Sequence, residues 1–178
     1  MANSKIGIIV STNRKDAFSA KVGQYYAKAI ENKGIETEIL NLANLPEDFA
    51  FSALYHNSGK NEAFNEFQKK IDSYQKIVFI VPEYNGSYPG ILKTFIDGLR
   101  HPDSLAHKKI CLVGLSAGVL GNAVGLSHLS DVLSYLNANI LGLRIKLGMA
   151  DKNFIDGEIT NETYKNFIAK QIEYFLAF

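Results

Sequence analysis

An α/β fold is predicted: a three-layer sandwich around a five-stranded parallel sheet of order 2-1-3-4-5. Two observations predict it. Strand-like apolar runs alternate with helical patterns along the chain, a pattern that requires crossover connections and a sheet covered on both faces. Three of the runs are followed by polar or glycine-bearing loops that open helices, and the switch point of such a sheet gathers these loops beyond the carboxyl ends of its strands.

The first run, Ile6 to Val10, is apolar throughout, as a central strand is. A helical pattern covers 17–33. The second run, 35–40, reads Ile-Glu-Thr-Glu-Ile-Leu and alternates, which suits a sheet edge. Residues 41–60 form a long connection, a length usually reserved for functional or interface-forming loops, and Phe49, Phe51, Leu54 and Tyr55 are available there to pack on the domain or on a partner. Helical spacing returns over 61–74, 89–100, 122–138 and 162–177. Between these lie a third run (77–81) and a fourth (110–115), both apolar throughout, and a fifth at 140–147. No internal repeat or linker divides the chain, so residues 1–178 are expected to form a single domain.

With 19 Lys and Arg against 18 Asp and Glu, the net charge of +1 points to neither a nucleic-acid nor a membrane surface, and argues against an acidic electron carrier that docks by charge. The start of the chain, Met-Ala-Asn-Ser-Lys, has no signal-peptide layout, and the single cysteine, Cys111, lies within an apolar run; a cytoplasmic location is expected. No charged residue stands between Lys109 and Asp131, yet four glycines and several polar residues interrupt that stretch, so it reads as buried interior and not as a membrane span. The four histidines show no ligand spacing and Cys-x-x-Cys is absent, so no metal is expected.

The loops expected at the switch point are 11–18, 82–88 and 116–121. In the first, Thr12, Arg14 and Ser19 offer hydroxyls and a cation at a helix N-terminus, the chemistry a phosphate monoester requires. A Gly-Lys-Ser/Thr ending is absent, which excludes a Walker loop. In the second, Gly86 admits a flat ligand close to the main chain, Pro82 ends the strand ladder, Ser87 is placed to cap the next helix and Pro89 to begin its first turn. Lys93 and Asp97, four apart on that helix, read as an exposed ion pair.

The run from Pro82 to Asp97, Pro-Glu-Tyr-Asn-Gly-Ser-Tyr-Pro-Gly-Ile-Leu-Lys-Thr-Phe-Ile-Asp, resembles the P-E-Y-N-G-S-x-P-G-x-L-K-x-x-I-D signature of the NADPH-dependent FMN reductase family at every fixed position. That family is flavodoxin-like. Its phosphate loop, Gly-Ser-x-Arg-x-x-Ser-x-Asn, corresponds here to Ser11, Thr12, Arg14, Ala17 and Ser19, with Ser19 expected to replace the hydroxyl that Ala17 lacks. Its Ser-x-Gly-x-x-Gly-Gly turn corresponds to Ser116, Gly118 and Gly121, with Asn122 where the second adjacent glycine is usual.

The resemblance implies bound FMN held by Ser11, Thr12, Arg14, Ser19, Pro82, Glu83, Tyr84, Asn85, Gly86, Ser87, Ser116 and Gly118, with Glu83 either a contact or a structural anchor for its loop. It implies NADPH or NADH as hydride donor, transfer to flavin N5 and onward to free flavin, a quinone, an azo dye or another small-molecule electron acceptor, and a homodimer or homotetramer. No catalytic side chain is expected, because the cofactor carries the chemistry. A one-electron FMN carrier and a non-catalytic flavin-binding module are the alternatives; the absence of Trp removes the stacking residue of many carrier flavodoxins.

Overall fold

The structure, a computed structural model, describes residues 5–178; residues 1–4, which include most of the segment read for a leader, lie outside the described residues. The parallel sheet runs in the order β2-β1-β3-β4-β5, with β1 at Ile6–Val10, β2 at Thr37–Asn41, β3 at Lys76–Pro82, β4 at Lys109–Leu115 and β5 at Asn139–Ile140. It is the predicted order, with the alternating second strand at an edge.

Alternation along the central strands divides the interior in two. Ile77, Phe79 and Val81 face helices α3 (Glu62–Ser73), α4 (Gly90–Gly98) and α5 (Ala123–Tyr135). Val78, Ile80, Cys111 and Val113 face α1 (Phe18–Glu31) and α7 (Glu162–Ala177). Each fully buried Ile, Val or Phe contributes roughly 1.5–3 kcal/mol, so a one-residue slip of register would move whole sets of these side chains to the wrong layer. Burial pushes the Cys111 thiol pKa up, which leaves it a structural strand residue.

Within the connection that begins at Asn41, α2 (Phe49–Ser52) buries Phe49, and Leu54 follows it into the core. Phe51 and Tyr55 remain 85% and 79% exposed. The expected ion pair of Lys93 with Asp97 is present at 2.7 Å on the surface of α4.

The fifth run departs from expectation. It splits into β5, which pairs with Lys109 and Ile110, and β6 (Ile145–Leu147), which pairs with Val113 to Leu115. Between them the ladder opens, and the buried Gln171 of α7 enters from the helical layer. Its Nε2 donates to Leu112 O at 3.0 Å and Leu143 O at 2.8 Å, while its Oε1 accepts from Tyr26 Oη at 2.8 Å. Backbone carbonyls that a continuous strand would have satisfied are thus satisfied by a side chain. After β6 come α6 (Ala150–Asn153) and a short hairpin, β7 (Phe154–Ile155) with β8 (Glu158–Ile159).

The register brings the functional loops together. Val10 lies opposite Ile80 and Pro82 opposite Leu115, so the chain leaves β1, β3 and β4 at one end of the sheet. At the other end the Tyr74 ring lies over Gly7, and a Cβ at Gly7 would run into that ring. Gly7→Ala is expected to destabilise the protein by about 1–3 kcal/mol through overpacking, read as a lower denaturant midpoint; an unchanged midpoint would show that the ring yields.

Candidate functional site

The first loop turns one hydroxyl away from the cleft and leaves another without a partner. Ser11 is buried and its Oγ donates to Ile9 O at 3.3 Å, facing back into the strand. Thr12 Oγ1 accepts from the Arg14 N–H at 3.2 Å and shares a 2.6 Å hydrogen bond with Tyr84 Oη, which ties the first loop to the second. Ala17 occupies the N-cap of α1 and offers no side-chain cap. In the first turn Ser19 is 1% exposed, and its Oγ is buried with no hydrogen-bond partner. Arg14 stands exposed at the rim and enters none of the ion pairs among the described residues.

The second loop is a two-residue hairpin. Tyr84 N donates to Ser87 O at 2.9 Å and Ser87 N to Tyr84 O at 3.1 Å, with Asn85 and Gly86 both left-handed at φ 51° and 76°. Asn-Gly is the pair that best adopts positive φ at both central positions, and such a turn leaves the amides of Asn85 and Gly86 outside the hairpin's own hydrogen bonds. Pro82 is the last residue of β3 in register with β4, as expected. The expected cap is not formed: Pro89, not Ser87, holds the N-cap of α4, one position before the first turn. The Ser87 hydroxyl instead lies 3.0 Å from His128 Nδ1, because the hairpin carries it towards α5. Glu83 serves as an anchor; its Oε2 accepts from the Asn122 N–H at 3.1 Å, at the start of α5.

The third loop is stapled by Ser116, whose Oγ donates to Gly118 O at 2.9 Å and accepts from the Gly121 N–H at 3.0 Å. Gly118 O also accepts from the Met149 N–H at 2.8 Å. Gly121 and Asn122 are left-handed at φ 56° and 64°, so Asn122 adopts the backbone that a second glycine would have supplied.

A cleft of about 280 Å³ lies between the loops. From the predicted set it is lined by Thr12, Arg14, Ser19, Pro82, Glu83, Tyr84 and Ser116, joined by Phe18, Ala117, Ala150 and Asp151. Asn85, Gly86, Ser87 and Gly118 belong to the surrounding loops without lining it, and Ser11 lies beneath it. Ala150 and Asp151 reach the cleft because α6 follows β6 at the same end of the sheet, a placement with no local signal in the sequence. A larger cavity of about 430 Å³, walled by Leu99, Arg100 and Tyr135 among others, lies beside α4 and α5 and receives none of the three loops. Among the described residues no group of three His, Cys, Asp or Glu side chains is placed to hold a metal ion.

A parallel sheet of this order, with three loops gathered at the carboxyl ends of its central strands, defines a flavodoxin-like protein. Residues 4–148 match the NADPH-dependent FMN reductase family, and the chain belongs to that family. It is 26% identical over 169 residues to a 2-hydroxy-1,4-benzoquinone reductase of a Burkholderia species, a match that covers 92% of this chain and 90% of that one. It is 28% identical over 173 residues to a quinone reductase of Escherichia coli K12, covering 94% and 90% of the two chains. The structure of FerB, a flavoenzyme NAD(P)H:(acceptor) oxidoreductase from Paracoccus denitrificans, superposes with a TM-score of 0.81 at 24% identity, over 98% of this chain and 96% of that one.

Gly86→Val is expected to reshape the hairpin, because a β-branched residue at this φ costs roughly 1–2 kcal/mol or more, while the sheet survives. Flavin affinity should fall with only a small drop in melting temperature; unchanged affinity would remove the hairpin from the site.

Proposed function

We propose that this chain is an FMN-dependent NAD(P)H oxidoreductase that reduces small acceptors such as quinones, free flavin or azo compounds. The observation that carries the reading is the Ser19 hydroxyl, buried and unpartnered in the first turn of α1, beside Thr12 and the exposed Arg14. A buried hydroxyl without a partner is costly, by about 1–3 kcal/mol, and here it lies at a helix N-terminus that no side chain caps. A phosphate would satisfy the hydroxyl, the free amides of the first turn and the guanidinium together. The residues present therefore fit the phosphate end of FMN.

Arg14, Thr12 and Ser19 hold the phosphate in this reading; Tyr84 keeps the first and second loops in fixed relation through Thr12. In this reading the amides of Asn85 and Gly86 and the Asn85 side chain, at the rim of the cleft, provide donors for the ring carbonyls, and Ser116 and Ala117 form the opposite wall. When bound, FMN would supply the two-electron hydride chemistry between nicotinamide and acceptor. Preorganised donors at the ring would stabilise the charge that develops there.

We place the protein in the cytoplasm as a homodimer or homotetramer, without nucleic-acid or membrane partners. The near-neutral charge supports the absence of nucleic-acid and membrane-surface partners, and among the described residues no helix is long and apolar enough to cross a membrane. Exposed Val119 and Leu120 within the third loop, with Phe51 and Tyr55 in the connection after β2, support self-association.

The test is anaerobic. Protein loaded with FMN should bleach rapidly to the two-electron-reduced form on addition of NADPH or NADH; bound flavin that stays oxidised would point to a carrier or binding module. Arg14→Ala should weaken FMN about tenfold or more, the loss of a charge-assisted contact, and leave riboflavin nearly unaffected. Equal loss for both ligands would remove the phosphate role of Arg14.

A further inference from the structure

Asn122 is wholly buried, left-handed and only half satisfied. Its Nδ2 donates to Val81 O at 3.0 Å and Pro82 O at 3.1 Å, the carbonyls at which β3 passes into the hairpin. Its Oδ1 has no hydrogen-bond partner. A glycine would adopt the same backbone without burying that oxygen, so the amide donors are what the asparagine contributes. As the N-cap of α5 it makes no cap bond with its own side chain. The Glu83 carboxylate accepts its N–H instead, where the helix dipole favours negative charge. The two residues exchange roles: the helix's side chain secures the strand end, and the loop's side chain caps the helix.

The same face of α5 also meets the exit of the hairpin. A Cβ at Gly125 would stand 2.6 Å from Ser87 C and 2.7 Å from Tyr88 N, so the backbone there rests on the helix. One turn further on, His128 reaches the Ser87 hydroxyl. The entry and exit of the four-residue hairpin are therefore both set against the first turns of α5.

We infer that Asn122 is a positioning residue, which fixes the height and tilt of the 84–87 hairpin and through it the affinity for the isoalloxazine ring. The inference rests on the flavin reading above. It differs from the phosphate contacts in its signature: loss of Asn122 acts on riboflavin and FMN alike, whereas loss of Arg14 acts on FMN.

The experiment uses the full chain and two variants. Asn122→Gly keeps the left-handed backbone and removes both donors; Asn122→Asp keeps the side-chain shape and loses the same donors. Backbone hydrogen exchange over 82–88 is measured without flavin, and FMN and riboflavin affinities are measured by fluorescence titration. Asn122→Gly should exchange faster in that segment, with α1 unchanged, and should bind both flavins about tenfold more weakly, the loss expected from buried hydrogen bonds. Asn122→Asp should lose at least as much, since its carboxylate would face two carbonyls. Exchange at the wild-type rate in Asn122→Gly overturns the inference whether or not flavin binds. Faster exchange with both flavin affinities retained also overturns it, because the hairpin would then be loosened without consequence for the ring. Wild-type protein that takes up no flavin overturns the functional reading itself, an outcome separate from the exchange result.

Discussion

Burial on both faces of β1, β3 and β4 is the constraint on which the remainder of the molecule depends. A strand with one wet face can tolerate a shifted partner; one packed between two helical layers cannot, because the shift exchanges the two sets of side chains. Register is therefore held tightly, and register decides where three loops begin. Glu83 N donates to Leu115 O, so the second and third loops leave the sheet at one level, while Ser11 N donates to Ile80 O, so the first loop leaves slightly before the end of β3. The cleft is the space left when parallel strands stop together and their chains turn in different directions.

Within that space the polar contacts are mostly between loops. Tyr84 reaches Thr12 across the sheet, Glu83 reaches the start of α5, and Ser116 closes its own turn. These contacts order the loop backbones before any ligand arrives, which reduces the conformational cost of binding. The Ser19 hydroxyl and the uncapped end of α1 are left unsatisfied by the protein itself, as is Asn122 Oδ1 at the start of α5. Of these, only the Ser19 end lines the cleft, which is where the proposed reading places an anion.

Much of this was legible locally. Apolar continuity placed β1, β3 and β4 at the centre, alternation placed β2 at the edge, and Asn-Gly marked the hairpin. The motif from Pro82 to Asp97 marked the second loop as functional. What escaped prediction depends on contacts between distant residues. Asn122 meets Val81 forty-one positions away, and Gln171 meets Leu112 fifty-nine positions away. No window of sequence encodes either pairing. The Ser87 cap failed for the same reason, since Ser87 found His128 on another helix. Ser11 was misplaced at the level of a single rotation: the loop position was right, but its hydroxyl faces the strand it follows.

The interrupted fifth strand bears on how the molecule avoids its own kind. A parallel sheet ends in two exposed ladders, and an unbroken outer ladder is a template on which a second chain can lay a strand. Here the border beyond β4 is cut into segments of two and three residues, and Gln171 occupies the Leu143 carbonyl between them. An incoming strand would find neither the length nor the periodic spacing of donors and acceptors that strand addition needs. The same discontinuity that defeats a simple reading of residues 140–147 therefore protects this border, and any subunit contact on this side must rely on side chains instead of a shared sheet.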